Sequence, residues 1–501
     1  MGVDGTQGEI QDSDSWSLFG RVGYQLSGSA RLELVANRFA LEGNNHYVVA
    51  AGVGANVPTS SEEGETPGEP PSNRAELLSL SFTDSDLGGG NLIAQAFFSR
   101  TRDIFGGGSF ATFQDPAIAP LGTVFDQSVN NSRKVGGKIS YQREVPGLDA
   151  LIVTGGLDLL FDRTAQTLLH TGREWVPQTD FRSIAPFVQG NLKLLDGKLR
   201  LAGGARYEDV QLKVDDFSTL AFYGADDPAD HAQYERLAVG GGKPSFNKLL
   251  WNGGLVVEPL DGVRGYASYA EGYTIADVGR ILRGITDEGV DVDNFLTLEP
   301  VVSNNREIGV EWRRGALTAS ASYWWSDSDL GTLLRRGADG FFSVLRQPIS
   351  LHGFDLSADW RTPAEGLTIG AAYAHSKGRT DNDQDGSLES DLDGANIAPN
   401  RLNVHAEWQS GGLSARLAMR KYFEREFDGP DFTAPDDFEG YTLFDAFVGY
   451  RIGRHRLSLG VQNLTDKNYI TYYSDTVGAG DTLRYFAGRG RTFTLGVTSD
   501  F

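Results

Sequence analysis

Six consecutive residues, Asp381-Asn382-Asp383-Gln384-Asp385-Gly386, carry the densest coordination chemistry in the chain. Alternating carboxylates before a turn glycine form the first half of a calcium loop, in which Asp381, Asp383 and Asp385 would wrap a hard cation. The twelfth position is Leu392 rather than a bidentate Glu, and no helical pattern flanks the segment; Glu389 and Asp391 are near enough to compensate. A plain solvated acidic segment is the alternative. A second set is cationic: Arg280, Arg283, Arg335, Arg336 and Arg346, in a chain of formal net charge −22. Guanidinium groups are charge-assisted donors suited to an anionic ligand, with pairing to neighbouring Asp or Glu as the alternative. Tyr273, Trp324 and Trp325 add aromatic faces to the same stretches. Catalytic chemistry finds little support. The 7 histidines are scattered without metal spacing, and no nucleophile stands beside a base. With no cysteine, disulfides and thiolate sites are excluded. The acidic balance argues against nucleic acid, whose phosphates it would repel.

These groups must be positioned by β-structure. The chain of 501 residues holds 63 glycines and 11% aromatics, a strand-and-turn texture that runs unbroken from end to end. No apolar run reaches the length of a membrane-spanning helix. Period-two alternation dominates instead. Trp16, Leu18, Val22, Tyr24 and Leu26 share one face, with Ser17, Arg21 and Gln25 between them. Leu402, Val404, Ala406 and Trp408 alternate with Arg401, Asn403, His405, Glu407 and Gln409. Full charges on the polar face suit a wet lumen with lipid outside. About nineteen strands of roughly ten residues each follow, the length a tilted strand needs to cross a bilayer. Short turns are expected at 27–29, 84–89, 146–149, 196–197, 259–262, 314–315, 363–366, 410–411 and 453–454. Long loops lie between them, including 41–72, 103–130, 211–247, 274–301, 377–396 and 465–490. All long loops at one end is the habit of outer-membrane barrels. The fold expected is therefore all-β, a transmembrane antiparallel β-barrel spanning 16–501, ending on a strand whose Phe493, Leu495, Val497 and terminal Phe501 share a face. Residues 1–15 read as an N-terminal stub without the basic and apolar regions of a signal peptide.

Several segments together resemble the TonB-dependent receptors. LSLGVQNLTDKNYITYY at 457–473 and RYFAGRGRTFTLGVTSDF at 484–501 match that family's close, through Asn463, Leu464, Asp466 and Tyr469, then Gly490-Arg491 opening the last strand. EPVVSNNREIGVEWRRG at 299–315, DGANIAPNRLNVHAEW at 393–408 and YASYAEGY at 266–273 are similar to its mid-barrel segments. VDDF at 214–217 and GGKPSFNKLLWNGGLVVEP at 241–259 look like receptors for ferric hydroxamate and aerobactin-type siderophores. The resemblance implies a 22-stranded barrel with strands four to twenty-two present, an N-terminal plug and TonB box absent from this chain, and uptake of a ferric siderophore. It further implies a monomer in the bacterial outer membrane, inserted by the barrel assembly machinery, with no resident cofactor and iron only as chelated cargo. Another cargo (cobalamin, haem, an oligosaccharide) or a passive porin-like barrel are the rival readings. Locally, Asn463 and Asp466 are expected to organise the strand-to-loop turn. Trp324 and Trp325 have a membrane-girdle reading beside the ligand one.

Overall fold

The computed structural model describes residues 2–7, 11–50, 60–106, 125–220, 236–275, 277–285, 288–295, 301–336, 342–381, 385–429, 437–478 and 487–499. Twenty strands follow one another as an antiparallel meander. The first seven are β1 Gly2–Gln7, β2 Gln11–Gln25, β3 Ala30–Gly43, β4 Ser72–Asp84, β5 Gly90–Ile104, β6 Ser128–Val145 and β7 Leu148–Leu168. Next come β8 Glu174–Leu194, β9 Leu199–Val214, β10 Ser245–Leu260, β11 Val263–Thr274, β12 Val301–Arg314, β13 Leu317–Arg336 and β14 Phe342–Arg361. The last six are β15 Leu367–Thr380, β16 Arg401–Ser410, β17 Leu413–Tyr422, β18 Tyr441–Ile452, β19 His455–Gln462 and β20 Thr492–Ser499. A short strand, Ser390–Asp391, adds to the upper end of β15 and completes a 21-stranded sheet. Among the described residues, β1 and β20 do not pair with each other.

Register explains why this sequence chooses the arrangement. Directly opposed residues share a face, and Val22, Leu34, Leu80, Ala96, Gly137 and Leu159 form one such row across β2–β7. Val22 is 69% exposed and Leu495, far round the ladder, 78%. Apolar residues so bare belong against lipid. The opposite face is charged and networked: Arg206 reaches both Asp158 and Glu208, Lys138 lies 3.9 Å from Asp158, and Ser183 donates to Glu208 at 3.2 Å. One-residue slippage would exchange the faces, so the alternation fixes the register.

All nine short turns expected from the sequence lie where the strands end. Gly262 and Gly366 hold left-handed φ values of 77° and 76°. A Cβ on either would collide with backbone, Arg313 in the first case and Gln409 in the second, so only glycine fits.

Three expectations need correction. The ladder begins at Gly2, where β1 pairs with β2 from Gly2 opposite Trp16 to Gln7 opposite Gln11, so residues taken as a stub belong to the sheet. Strands are longer than the ten residues a membrane needs: β7 and β8 have 21 each and β13 and β14 have 20. At about 3.3 Å per residue, β7 extends roughly 70 Å, well past a hydrocarbon core of about 30 Å even when tilted. Consequently the connections after β7 and β13 are brief, with the sequence spent on ribbons that rise above the membrane. The loops also hold structure of their own: helices α1 Val278–Arg283, α2 Val292–Phe295 and α3 Tyr472–Gly478, and small pairings at Tyr47–Ala50 with Ser60–Glu63 and Phe217–Ser218 with Ala238–Val239. Terminal Phe501 lies outside the described residues.

Candidate functional site

The long-loop end is the mouth of the barrel, and its loops fold onto the strand tips as two apolar clusters. On one side, Leu212 and Val214 at the top of β9 pack with Val239, Val278, Leu282, Ile285 and Val292, so α1 and α2 sit on a strand extension. Beside it, Leu168, Leu220 and Trp175 close the tip of the β7–β8 ribbon. Asp126 is fully buried there, accepting from the His170 backbone N–H at 3.0 Å and the Thr171 hydroxyl at 2.5 Å, with Arg173 at 3.6 Å. On the other side, Leu392, Ile397 and Phe427 pack against Ile349, Leu351 and Tyr472. The Tyr472 hydroxyl donates to the Ile397 carbonyl at 2.7 Å, and burial pushes its pKa up. An aromatic column continues below: Tyr422 to Tyr441 at 4.7 Å, Tyr441 to Tyr469 at 4.4 Å, and Phe438 edge-on to Tyr472 at 4.9 Å between ring centres. Burial likewise raises the Tyr469 hydroxyl.

The residues singled out from sequence do not form one constellation. Arg283 ends α1 with its guanidinium 4.7 Å over the Trp175 ring, a cation–π contact. Arg280 is in the same helix, and Arg335 and Arg336 end β13; their side chains lie outside the described residues. Arg346 is half-buried in β14 opposite Thr332. Three of the five arginines therefore stand on strands rather than loops. Tyr273 is half-buried near the end of β11, its ring 5.8 Å from Phe246 and its hydroxyl shut from solvent without a hydrogen-bond partner among the described residues. Neighbours in a strand point to opposite faces, so Trp324 and Trp325 part company. Trp324 donates from Nε1 to Asp355 at 3.1 Å on the inner face, whereas Trp325 sits 5.7 Å from outward-facing Tyr323. Sequence reasoning missed Trp175, Tyr422 and Tyr441, whose partners are set by the fold and leave no local pattern.

The closing motif has a clear job. Asn463 is 4% exposed with φ at 48°; its Nδ2 donates to the carbonyls of Lys467 and Arg489 at 2.9 and 3.1 Å, and its Oδ1 accepts from Lys467 N–H at 2.8 Å. Asp466, at φ 53°, accepts from the Arg491 N–H at 2.9 Å, with the Arg491 guanidinium 3.6 Å away. Leu464 N–H donates to Phe444, and Gly488 N–H donates to Tyr469, which brings Gly490-Arg491 into line for β20. The motif ties the loop to both of its strands.

In the acidic segment, Asp381, Asp385 and Glu389 each bring a carboxylate oxygen within 4.8 Å of the others. Asp381 is 3% exposed, and its Oδ2 accepts from Gly386 N–H at 2.9 Å while Oδ1 is buried without a hydrogen-bond partner among the described residues. Asp383 lies outside the described residues. Asp391 belongs elsewhere, 3.9 Å from Lys377 and 3.6 Å from Arg379. Leu392 packs in the apolar cluster.

An antiparallel meander of strands, apolar outside and charged inside, with tight turns at one end and folded loops at the other, defines a β-barrel of the outer-membrane type. Residues 5–464 match the family model for the β-barrel of TonB dependent receptor-like proteins, and the chain belongs to that family. It is 23% identical to the ferric aerobactin receptor of Klebsiella pneumoniae, over 98% of this chain and 70% of that protein. It is 24% identical to the rhizobactin receptor of Rhizobium meliloti, over 99% and 69%. Among solved structures it resembles the copper transporter OprC, with a TM-score of 0.72, 16% identity and coverage of 97% of this chain and 74% of that one.

Proposed function

We propose that this chain is the barrel of a receptor that takes up a ferric siderophore of hydroxamate or hydroxamate–citrate type. The observation that carries the reading is similarity along 98–99% of this chain to receptors named for ferric aerobactin and rhizobactin, on a barrel whose described loops fold onto the strand tips. Arginines from α1 and from the β13–β14 ribbon would meet the anionic chelate. Aromatic faces would cover its apolar parts, with Tyr273 near the mouth and Trp324 on the inner wall as the candidates. Iron stays inside the siderophore as cargo, so no protein ligand to iron is required. In this reading the inner charged wall faces a plug domain, and the TonB complex acts through that plug on a monomeric barrel. In the acidic segment Asp381, Asp385 and Glu389 would hold a calcium ion, a reading supported by their closeness and by the buried Oδ1 of Asp381, which has no hydrogen-bond partner among the described residues.

The test is uptake of iron-55-loaded aerobactin and ferrichrome by cells lacking their own siderophore receptors and expressing the gene. Saturable uptake that requires TonB is expected. Saturable uptake of a sugar or cobalamin with none of iron would replace the cargo, and a large constant conductance in planar bilayers would replace the receptor by a porin.

A further inference from the structure

Three tyrosines stack on the inner wall where three segments meet. Tyr422 ends β17, Tyr441 opens β18 directly opposite it, and Tyr469 comes from the closing loop after β19. Along β18, Tyr441 alternates with the exposed Val448 and Tyr450, which puts it on the face turned away from lipid. It is the middle ring, 4.7 Å from Tyr422 and 4.4 Å from Tyr469, the latter inclined at 41°. Phe438 meets it edge-on at 5.7 Å. Tyr469 is held against it from behind. The Tyr469 carbonyl accepts from Gly488 N–H at 2.8 Å, Ile470 bridges to Ala487, and a Cβ on Gly488 would strike the Tyr469 ring. Bare backbone on one side and Tyr441 on the other leave this ring one place to be.

Packing does not explain the two oxygens. Elsewhere in the barrel a tyrosine hydroxyl ties structure together: Tyr472 donates to the Ile397 carbonyl at 2.7 Å, Tyr266 to Glu307 at 2.6 Å and Tyr141 to the Leu87 carbonyl at 2.9 Å. Among the described residues, the hydroxyls of Tyr441 and Tyr469 make no hydrogen bond, so phenylalanine would fill the same space. The surroundings also favour oxidation of these rings. With no cysteine and 2 methionines in the chain, a one-electron oxidant at the mouth meets no thiol and ends on phenol or indole rings.

We propose that Tyr441 and Tyr469 are an oxidative cross-linking site, which a peroxide joins through a carbon–carbon bond between their Cε atoms. Each phenol gives up one electron and one proton, and together these reduce one hydrogen peroxide to two waters. The two phenoxyl radicals, already in ring contact, then couple. Each ring hydrogen at the new bond moves to its own oxygen and restores a phenol, so the protein loses two hydrogen atoms and gains one bond. The closing loop is tied at its ends by Asn463 and Asp466. The new bond would fix its middle to β18, and a cross-link between residues far apart in sequence restricts opening as a disulfide does. This chemistry is independent of the cargo the barrel carries.

The test is to treat the purified protein, dilute and in neutral detergent, with hydrogen peroxide and a haem peroxidase, then to measure intact mass and map peptides. A monomer lighter by two hydrogens, with dityrosine emission and one joined pair of peptides holding Tyr441 and Tyr469, is expected. Tyr441→Phe and Tyr469→Phe should each fold normally and lose both emission and joined pair. Tyr450→Phe, on the lipid face of the same strand, should keep both. After treatment, proteolysis within 463–491 should slow severalfold in the parent and stay unchanged in Tyr469→Phe. Three results would each overturn the proposal: a joined pair of Tyr422 and Tyr441 in place of the expected one, oxygen added to tryptophan or Met419 with no joined peptides, or full emission from Tyr469→Phe. If a variant does not assemble, the peptide pair mapped in the parent decides alone.

Discussion

The two ends of this barrel are built on opposite principles. At the turn end, nine connections reverse the chain in a few residues, two of them through a glycine whose Cβ would strike backbone, Gly262 against Arg313 and Gly366 against Gln409. At the loop end, strands overrun the membrane, helices α1 and α3 dock on them, and side chains such as Asn463 and Tyr472 do the tying through hydrogen bonds to backbone. Tight backbone geometry dominates one end, with side chains such as Tyr141 assisting, and side-chain chemistry dominates the other. The difference teaches where variation is tolerated: the turn end can change little without losing the sheet, whereas the loop end can change its ligand while keeping its anchors.

Replacing Gly366 should separate the two ends most sharply. Gly366→Val puts a Cβ into the Gln409 backbone at a left-handed φ, a cost above about 3 kcal/mol. The expected result is loss of the heat-resistant, assembled band on semi-native gels, while Gly289→Val, which meets the same left-handed strain at φ 73° but has open space around it in a loop, leaves assembly intact. Next in size is Asn463→Ala, which strands several backbone partners of a buried side chain and should cost about 2–3 kcal/mol locally. Faster proteolysis within 463–491 is expected, with the barrel's own Tm nearly constant; a fall in barrel Tm as large as that of a core strand variant would show the ends to be one cooperative unit. Calcium removal tests the loop end by another route. Chelation should expose the 381–400 segment to hydrogen exchange, and Asp381→Asn should abolish the difference between chelated and calcium-loaded samples. An unchanged exchange pattern in the parent would remove the ion from the account. The smallest effect belongs to Tyr472→Phe, which deletes one hydrogen bond to Ile397 and should cost about 1 kcal/mol, seen as faster amide exchange in α3.

The same contrast explains what could be read from sequence. Turns were legible because glycine, proline and aspartate mark them and because alternation on either side fixes the strand phase, as at 259–262 and 363–366. The local role of Asn463 was legible for the same reason, since its side chain bonds Lys467 within its own turn, whereas its reach to Arg489 and that of Asp466 to Arg491 exist only through the fold. The strand overhangs of β7, β8, β13 and β14 were not, because above the membrane alternation is no longer required and the segments read as loop. Helix α1 has 6 residues, under two turns, too few for a 3.6-residue period to stand out. Arg283 finds Trp175 only through the fold.

The central claim, a siderophore receptor, is met most directly by measuring iron-55 delivered as ferric aerobactin to receptor-deficient cells that express the gene, with and without TonB. Saturable, TonB-dependent accumulation that falls when Arg283 and Arg346 are replaced by alanine is the expected result. Accumulation that is absent, or that persists without TonB and rises linearly with concentration, would contradict the account.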